Sequence, residues 1–479
     1  MRALALGTLL PSFDGLTVPD WLAAALSDGL AGVCLFAVST PDVATTRRLT
    51  DELRRHAGRE LIVASDEEGG DVTRIQAGEG SSLPGAAALG AIDDEHLTRR
   101  CGVALGAVLA TAGINLDLAP VLDVASEPDN PVIGVRAFAP TPDRVIAHGR
   151  AFVDGLAAAG VAACAKHFPG HGATTIDSHL ALPTLDADPE TLHTRDLRPF
   201  AEVRTAAVMT AHVVVPALDE RPATLAPWAA AALRKGGHDG VIVTDALGMR
   251  AIADHIPLGE ACVRALEAGA DLLCLDAPHQ RDARTCFDEA LAAVEGALRS
   301  GRLDAQRVAA SVARNRALAA AHPPLPAEDP TPLLARLDAV GLEAARRAVR
   351  ATGNVRLSGP PVLLDVRRRA QYAAGRTSTA FASVVQEAFP GARALAPADP
   401  AEAAAAATGP QDVVVLTSMA RAEEREGALL ARVLEARPDA VVVHAGVAEA
   451  APRAARLVLS LGVGRANARA VVALLGADR

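Results

Sequence analysis

Between Ala165 and Pro183 the chain reads AKHFPGHGATTIDSHLALP, which gathers Lys166, His167, His171, Asp177 and His179 into one short stretch. Three chemistries could use such a set. The first is a metal cage. Zinc ligands usually come in tight pairs, such as two histidines one turn apart on a helix. Here Pro169 and Gly170 interrupt any helix and no cysteine helps, so no metal is expected. The second is a phosphate cradle. Gly170 and Gly172 are present, but Lys166 precedes the loop and the G-x-x-x-x-G-K-[ST] pattern is missing. The third is proton transfer. Asp177 and His179 are separated by one residue, so in an extended segment their side chains point the same way. A carboxylate placed there holds the imidazole by one ring nitrogen and favours its charged form. Such a histidine can protonate a leaving group and later deprotonate an incoming nucleophile.

A matching partner stands in GVIVTDALGM, Gly240 to Met249, where an apolar run ends in Thr244 and Asp245. Asp245 could simply cap the following helix. A carboxylate at a strand end can also attack a sugar's anomeric carbon, since its ionised form needs no activating base.

These groups need elements to carry them. Short apolar runs bounded by turn signals predict strands at Ala3–Gly7, Val33–Ala37, Leu61–Ser65, Leu116–Ala119, Val161–Ala165, Ala206–Thr210, Val241–Thr244 and Asp271–Leu275. Helix-period stretches such as Pro41–His56 and Leu258–Ala268 lie between them. The alternation predicts an α/β fold, a (β/α)8 TIM barrel, with a doubly wound sheet as the alternative. Polar residues cluster after the runs: Asp66, Asp123, Lys166, His167, His212 and Asp245. In a barrel these ends converge on one rim, which favours the closed form. The proline-rich HPPLPAEDPTP ends the pattern, and a helix-like stretch, Leu333–Arg350, follows. Apolar runs at Val362–Asp365, Val413–Thr417, Ala440–His444 and Val458–Leu461 then predict a smaller α/β domain. The expected organisation is a catalytic domain over 1–325, a linker over 326–350 and the second domain over 351–479.

Composition narrows the classes. The net charge is -10 and aromatics are 3%, with no basic stripe, so nucleic acid is not an expected partner. No apolar run is long enough to span a membrane. The opening MRALALGTLLPSFDG lacks the form of a signal peptide. The six cysteines are scattered without a C-x-x-C pair and read as reduced core residues, in keeping with a cytoplasmic location.

The ordered motifs SDEEGGDVTRI (65–75), NPVIGVRAF (130–138), KHFPGHG…DSH (166–179), MTAHVVVPALDERPAT (209–224) and VTDALGM (243–249) resemble glycoside hydrolase family 3, in its β-N-acetylglucosaminidase branch. The likeness covers about residues 1 to 325, and SLGVGRANARAVVALLG near the end is similar to the close of the family's second domain. The resemblance implies a barrel followed by an α/β sandwich, with no cofactor and no metal. It implies Asp245 as nucleophile, His179 as general acid/base and Asp177 as its dyad partner. Asp66, Arg74, Arg136, Lys166 and His167 match the positions that bind the sugar. The chain departs from the pattern at Glu67 (often glutamine), Asp71 (often arginine), Ala173 and Ala246 (often aspartate). Glu67 and Glu68 read as loop structure, His171 as a loop brace, and Asp123 as either scaffold or ligand contact.

The implied activity is retaining removal of terminal β-linked N-acetylglucosamine from peptidoglycan-derived muropeptides or chitooligosaccharides, as in peptidoglycan recycling. Inorganic phosphate in place of water would make the same site a phosphorylase. A catalytically silent sugar-binding or regulatory protein is the alternative of another class. The assembly is expected to be a monomer or homodimer.

Overall fold

The computed structural model describes residues 1–276, 281–367, 370–371, 375–376 and 379–476. Eight strands of its first part make up the barrel: β1 (Leu9–Leu10), β2 (Gly32–Leu35), β3 (Ile62–Ser65), β4 (Leu116–Asp117), β5 (Ala162–Phe168), β6 (Ala207–Thr210), β7 (Val241–Thr244) and β8 (Leu273–Cys274), with a short antiparallel pair, Val214–Val215 and Asp219–Pro222, outside it. Strands β2 to β7 pair in parallel in chain order. Strand β8 pairs in parallel with β1. A bridge between Val243 and Leu272 joins β7 to the approach of β8. On the other side, the Cys34 N–H donates to Pro11 O at 2.9 Å, which ties β2 to the end of β1. The sheet therefore closes on itself, and helices such as Val43–Ala57, Pro142–Ala158 and Leu258–Ala268 connect successive strands.

Side chains alternate across a strand, and the barrel uses that period to separate two cores. Ile62, Ala64, Ala162, Cys164, Val241 and Val243 fill the interior with Leu116, Met209 and Leu272. Val63, Ala163, Ala165 and Ile242 face the helical shell instead. Followed past the strand ends, the interior phase arrives at Asp66, Lys166 and Asp245. Thus the alternation that packs the barrel also delivers three charged groups to its mouth.

The strand expected at Ala3–Gly7 is instead a helix, Arg2–Leu6, and the first strand comes later at Leu9–Leu10. RALAL is built from strong helix formers and holds no β-branched residue. Its Ala5 and Leu6 are buried.

The second domain carries β9 (Arg350–Thr352), β10 (Val362–Asp365), β11 (Arg393–Leu395), β12 (Val413–Thr417), β13 (Val441–His444) and β14 (Leu457–Leu459). Their spatial order is β9-β14-β13-β12-β10-β11, parallel except for β9. Helices Ala380–Ala388 and Arg465–Leu475 share one core with Leu363, Val414 and Val443. Helices Pro400–Ala407 and Glu424–Ala436 share the other with Val362, Leu364 and Val415.

Between the domains runs the helix Pro330–Ala348. Its Glu343 takes a two-pronged bond from Arg100, at 3.0 and 2.8 Å. Its Gly341 sits so close to the Ser82 backbone that a Cβ would lie 1.8 Å from that carbonyl oxygen. Gly341→Ala is therefore expected to lower stability by about 1–3 kcal/mol, the usual cost of overpacking. Urea unfolding followed by circular dichroism checks this, and an unchanged midpoint would contradict it.

Candidate active site

The mouth of the barrel is organised by ion pairs between the ends of β3 and β5. Lys166 Nζ lies 2.8 Å from Asp66 Oδ1 and 2.6 Å from Glu68 Oε1. Arg136 forks onto Glu68, with Nε to Oε2 and Nη2 to Oε1 both at 2.8 Å. Arg74 Nη2 donates to Asp66 Oδ2 at 3.0 Å, and its guanidinium stands 5.3 Å over the Phe36 ring. Burial would push both carboxyls up, but the cations outweigh it. Arg136 and Lys166 hold Glu68 down at about 2. Lys166 and Arg74 hold Asp66 well below the usual carboxylate range. In return Asp66 and Glu68 keep Lys166 charged against a burial that favours its neutral form.

Asp123, fully buried after β4, settles between two histidines. Its Oδ2 accepts from His167 Nδ1 at 2.7 Å, and its Oδ1 accepts the His171 N–H at 2.6 Å. With Nδ1 donating to Asp123, His167 Nε2 is left facing Arg136 Nη2 at 3.4 Å. Asp123 is thus the scaffold that orients His167. His171 is a brace: Nδ1 meets Thr174 Oγ1 at 2.6 Å and Nε2 meets Ser178 Oγ at 3.1 Å. Burial pushes its imidazole down to about 4, so it stays neutral at pH 7.

Asp177 and His179 do meet, but not through an extended segment. The Leu180 and Ala181 N–H groups both donate to Asp177 O, at 2.9 and 3.1 Å, so the chain turns here. Within that turn one oxygen, Asp177 Oδ1, accepts both the His179 N–H at 2.9 Å and His179 Nδ1 at 2.8 Å. An aspartate that bonds the backbone two residues on is a natural turn former, and the same bond geometry captures the ring. Burial raises the Asp177 carboxyl, but the bond and charge of His179 hold it below the usual range.

Asp245 follows β7. Its N–H donates to Thr210 O at 3.0 Å, and Leu247 and Gly248 donate to Cys274 O and Leu275 O at 3.0 and 2.8 Å. These bonds pin the loop to the neighbouring strands. Asp245 is no helix cap: the next helix, Arg250–Ala253, starts from Met249. Burial would raise its carboxyl, but His212, His167 and His179 around it hold it below the usual range. Four of the expected sugar-binding residues (Arg74, Arg136, Lys166 and His167) are buried, whereas Asp66, His179 and Asp245 are only half-buried. The partly exposed groups are thus two carboxylates and an imidazole, a set that can accept hydrogen bonds, carry a proton and act as a nucleophile.

Two neighbours of this site carry no expected role: Glu68, and His212, which only its strand-end position places on the rim. Glu68 read as loop structure beside Glu67. Glu67 does brace the loop, accepting from Thr73 Oγ1 and from the Arg74 and Ile75 N–H groups at 2.7 Å each. Glu68, one residue on, faces the cations instead. The only signal in the sequence is that buried Lys166 and Arg136 require more than one counter-charge. His212 stands at a strand end, and its Nε2 bonds Ala246 O at 2.9 Å beside Asp245. Among the described residues no group of three or more His, Cys, Asp and Glu side chains is arranged to hold a metal ion.

Residues 20–318 match the family model described as Glycosyl hydrolase family 3 N terminal domain. The chain belongs to glycosyl hydrolase family 3. It is similar to beta-hexosaminidase A of Pseudoalteromonas piscicida, 35% identical over 326 residues, which are 62% of this chain and 54% of that protein. The chain thus spans about half the length of that relative. A beta-hexosaminidase of Alkalilimnicola ehrlichii is 36% identical over 257 residues, 51% of this chain and 73% of its own. Among solved structures, a glycoside hydrolase family 3 beta-N-acetylglucosaminidase from Paenibacillus sp. str. FPU-7 aligns with a TM-score of 0.87 and 30% identity, over 99% of this chain and 96% of that one. The two-domain architecture is therefore that of a family 3 enzyme along its whole length.

Glu68→Ala is expected to cost about 3–5 kcal/mol of stability, because it leaves two buried cations short of a partner. Denaturant unfolding measures this. A loss below about 1 kcal/mol would mean that water in the cleft solvates Arg136 and Lys166 instead.

Proposed function

We propose that the protein is a retaining exo-β-N-acetylglucosaminidase that removes terminal β-linked N-acetylglucosamine from peptidoglycan-derived muropeptides or chitooligosaccharides. The observation that carries this reading is the pairing of an ionised, partly exposed Asp245 with a His179 held through Nδ1 by Asp177. Holding the ring by Nδ1 makes Nε2 the nitrogen through which a proton would be exchanged with substrate. In the proposed reaction Asp245 attacks the anomeric carbon while His179 protonates the departing oxygen. The bond to the aglycone breaks, and a glycosyl ester forms on Asp245. Neutral His179 then takes a proton from water, which displaces Asp245 and releases the sugar with its configuration retained. Asp66 accepts from sugar hydroxyls. Arg74, Arg136, Lys166 and His167 shape and charge the pocket, with donor groups suited to hydroxyl and N-acetyl oxygens.

Histidine suits the acid/base role for an electrostatic reason. An imidazole can give and take a proton near neutral pH, and Asp177 fixes this one in place through Nδ1. In the second step the neutral ring repels neither water nor an anionic acceptor. A cytoplasmic setting fits the six cysteines, all buried and unpaired. No helix among the described residues is long and apolar enough to cross a membrane.

Release of a coloured phenol from an aryl β-N-acetylglucosaminide tests the activity, with Asp245→Ala expected to abolish it. His179→Ala should slow substrates with poor leaving groups about 10²–10⁴-fold more than those with an activated phenol, which departs without a proton. Rates across a series of phenols of rising pKa measure this. Equal slowing across the series would mean that His179 only positions the sugar. The same assay run with phosphate distinguishes the outcomes: free sugar supports hydrolysis, whereas sugar 1-phosphate would make the protein a phosphorylase.

A further inference from the structure

The loop that follows Glu68 has two faces. Gly69 and Gly70 take positive φ values of 79° and 62°, which turn the chain immediately after the Glu68 carboxylate has engaged Arg136 and Lys166. From Asp71 to Gly85 the loop then runs against the second domain. Asp71 Oδ1 accepts the Val463 N–H at 2.8 Å. The Ala466 N–H donates to Ser81 O at 3.2 Å. Asn467 Nδ2 donates to Pro84 O at 3.2 Å, and Arg465 Nη2 donates to Ser82 Oγ at 2.7 Å. Ser82 is tied back to Gln76 by two bonds, at 3.0 and 2.9 Å, two residues past Arg74.

The backbones approach too closely for side chains. A Cβ on Gly464 would lie 3.3 Å from Gly70 O and 3.2 Å from Ser81 O, and one on Gly80 would lie 3.0 Å from Arg465 N. Asp71 is placed between the cations of both domains. Burial pushes its carboxyl up, while the Val463 N–H, Arg367 of the second domain and Arg136 of the barrel favour its anion. This is a position where the family pattern often carries arginine, which could not accept the Val463 N–H.

We propose that the second domain holds the sugar-binding loop of the barrel in place, with Asp71 as the positioning residue: its bond to Val463 fixes the turn that aims Glu68, and through Glu68 the cations Arg136 and Lys166. The inference rests on the proposed N-acetylglucosaminidase reading for its kinetic consequence. Its structural part, the rigidity of residues 66–85, stands by itself. Asp245 and His179 are carried on other loops, so loosening this one weakens sugar binding and leaves the chemical step largely intact.

The test compares Asp71→Ala and Asp71→Asn in the full chain. Three quantities are measured: kcat and KM on an aryl β-N-acetylglucosaminide, the dissociation constant of free N-acetylglucosamine, and amide hydrogen exchange over 66–85. Loss of a bond to a carboxylate should raise KM and the sugar's dissociation constant about ten-fold in Asp71→Ala. Under the same proposal kcat stays within about three-fold and loop amides exchange roughly ten-fold faster. Asp71→Asn keeps an acceptor oxygen and should behave nearly as the wild type. If Asp71→Ala does not fold, Arg465→Ala removes the Ser82 anchor and should raise KM in the same way. Wild-type KM and wild-type exchange in Asp71→Ala would overturn the proposal, as would a fall in kcat with KM unchanged. If the wild-type protein itself releases no sugar, the functional reading fails, and loop exchange alone decides the positioning role.

Discussion

Two cations buried at the end of a barrel cannot stand alone. Lys166 and Arg136 are almost fully removed from water, and the structure around them is arranged to compensate their charge. Asp66 and Glu68 supply the anions from the loop after β3, while Lys166 arrives on β5 and Arg136 on the connection after β4. Removing a buried charge's partner is far more damaging than never burying the pair, so the lattice fixes the relative placement of three strand ends. Arg74 joins it through Asp66. Within this lattice three cations face two anions. A polar pocket of this kind offers directed hydrogen bonds of the sort an uncharged sugar can use.

The proton-handling side is built differently. Asp177 and His179 sit on a turn held by His171, Ser178 and Thr174, with His171 itself seated on Asp123. Burial keeps His171 neutral, so this support adds no charge beside Asp177 and His179. Asp245 is fixed on both sides by backbone bonds to β6 and to the end of β8, and imidazoles keep it ionised. The site thus joins a rigid charge lattice, a pinned Asp245 carboxylate and an Asp177–His179 pair borne on a separate loop.

Much of this was legible in the sequence. The expected segments Leu258–Ala268, Val241–Thr244, Val362–Asp365 and Val413–Thr417 coincide with the observed elements. Each is an apolar run with a clear period and a sharp polar or glycine boundary, so local pattern and tertiary environment agree. The clustering of Asp66, Lys166 and Asp245 was visible as polar residues at the ends of apolar runs, which a closed barrel brings to one rim. Where local pattern misleads, the fold departs from it. Ala3–Gly7 has the hydrophobicity of a buried strand but the residue types of a helix, and the helix wins. The spacing of Asp177 and His179 suggested a shared face of an extended chain, whereas an aspartate-capped turn brings them together by another route. Glu67 and Glu68 look alike in sequence. Only the loop's three-dimensional path sends one to backbone amides and the other to Arg136 and Lys166. The role of Asp71 could not be read at all, since its partner lies 392 positions away in the chain.

The account turns on a covalent bond between Asp245 and the sugar. It is tested most directly by treating the protein with a fluorinated N-acetylglucosaminyl fluoride, which forms the glycosyl ester readily and releases it slowly, and mapping the adduct by peptide mass spectrometry. The account predicts a single fluorosugar on the peptide that contains Asp245, and none in Asp245→Asn. A stable adduct on another residue, or turnover of the reagent by Asp245→Asn at the wild-type rate, would contradict it.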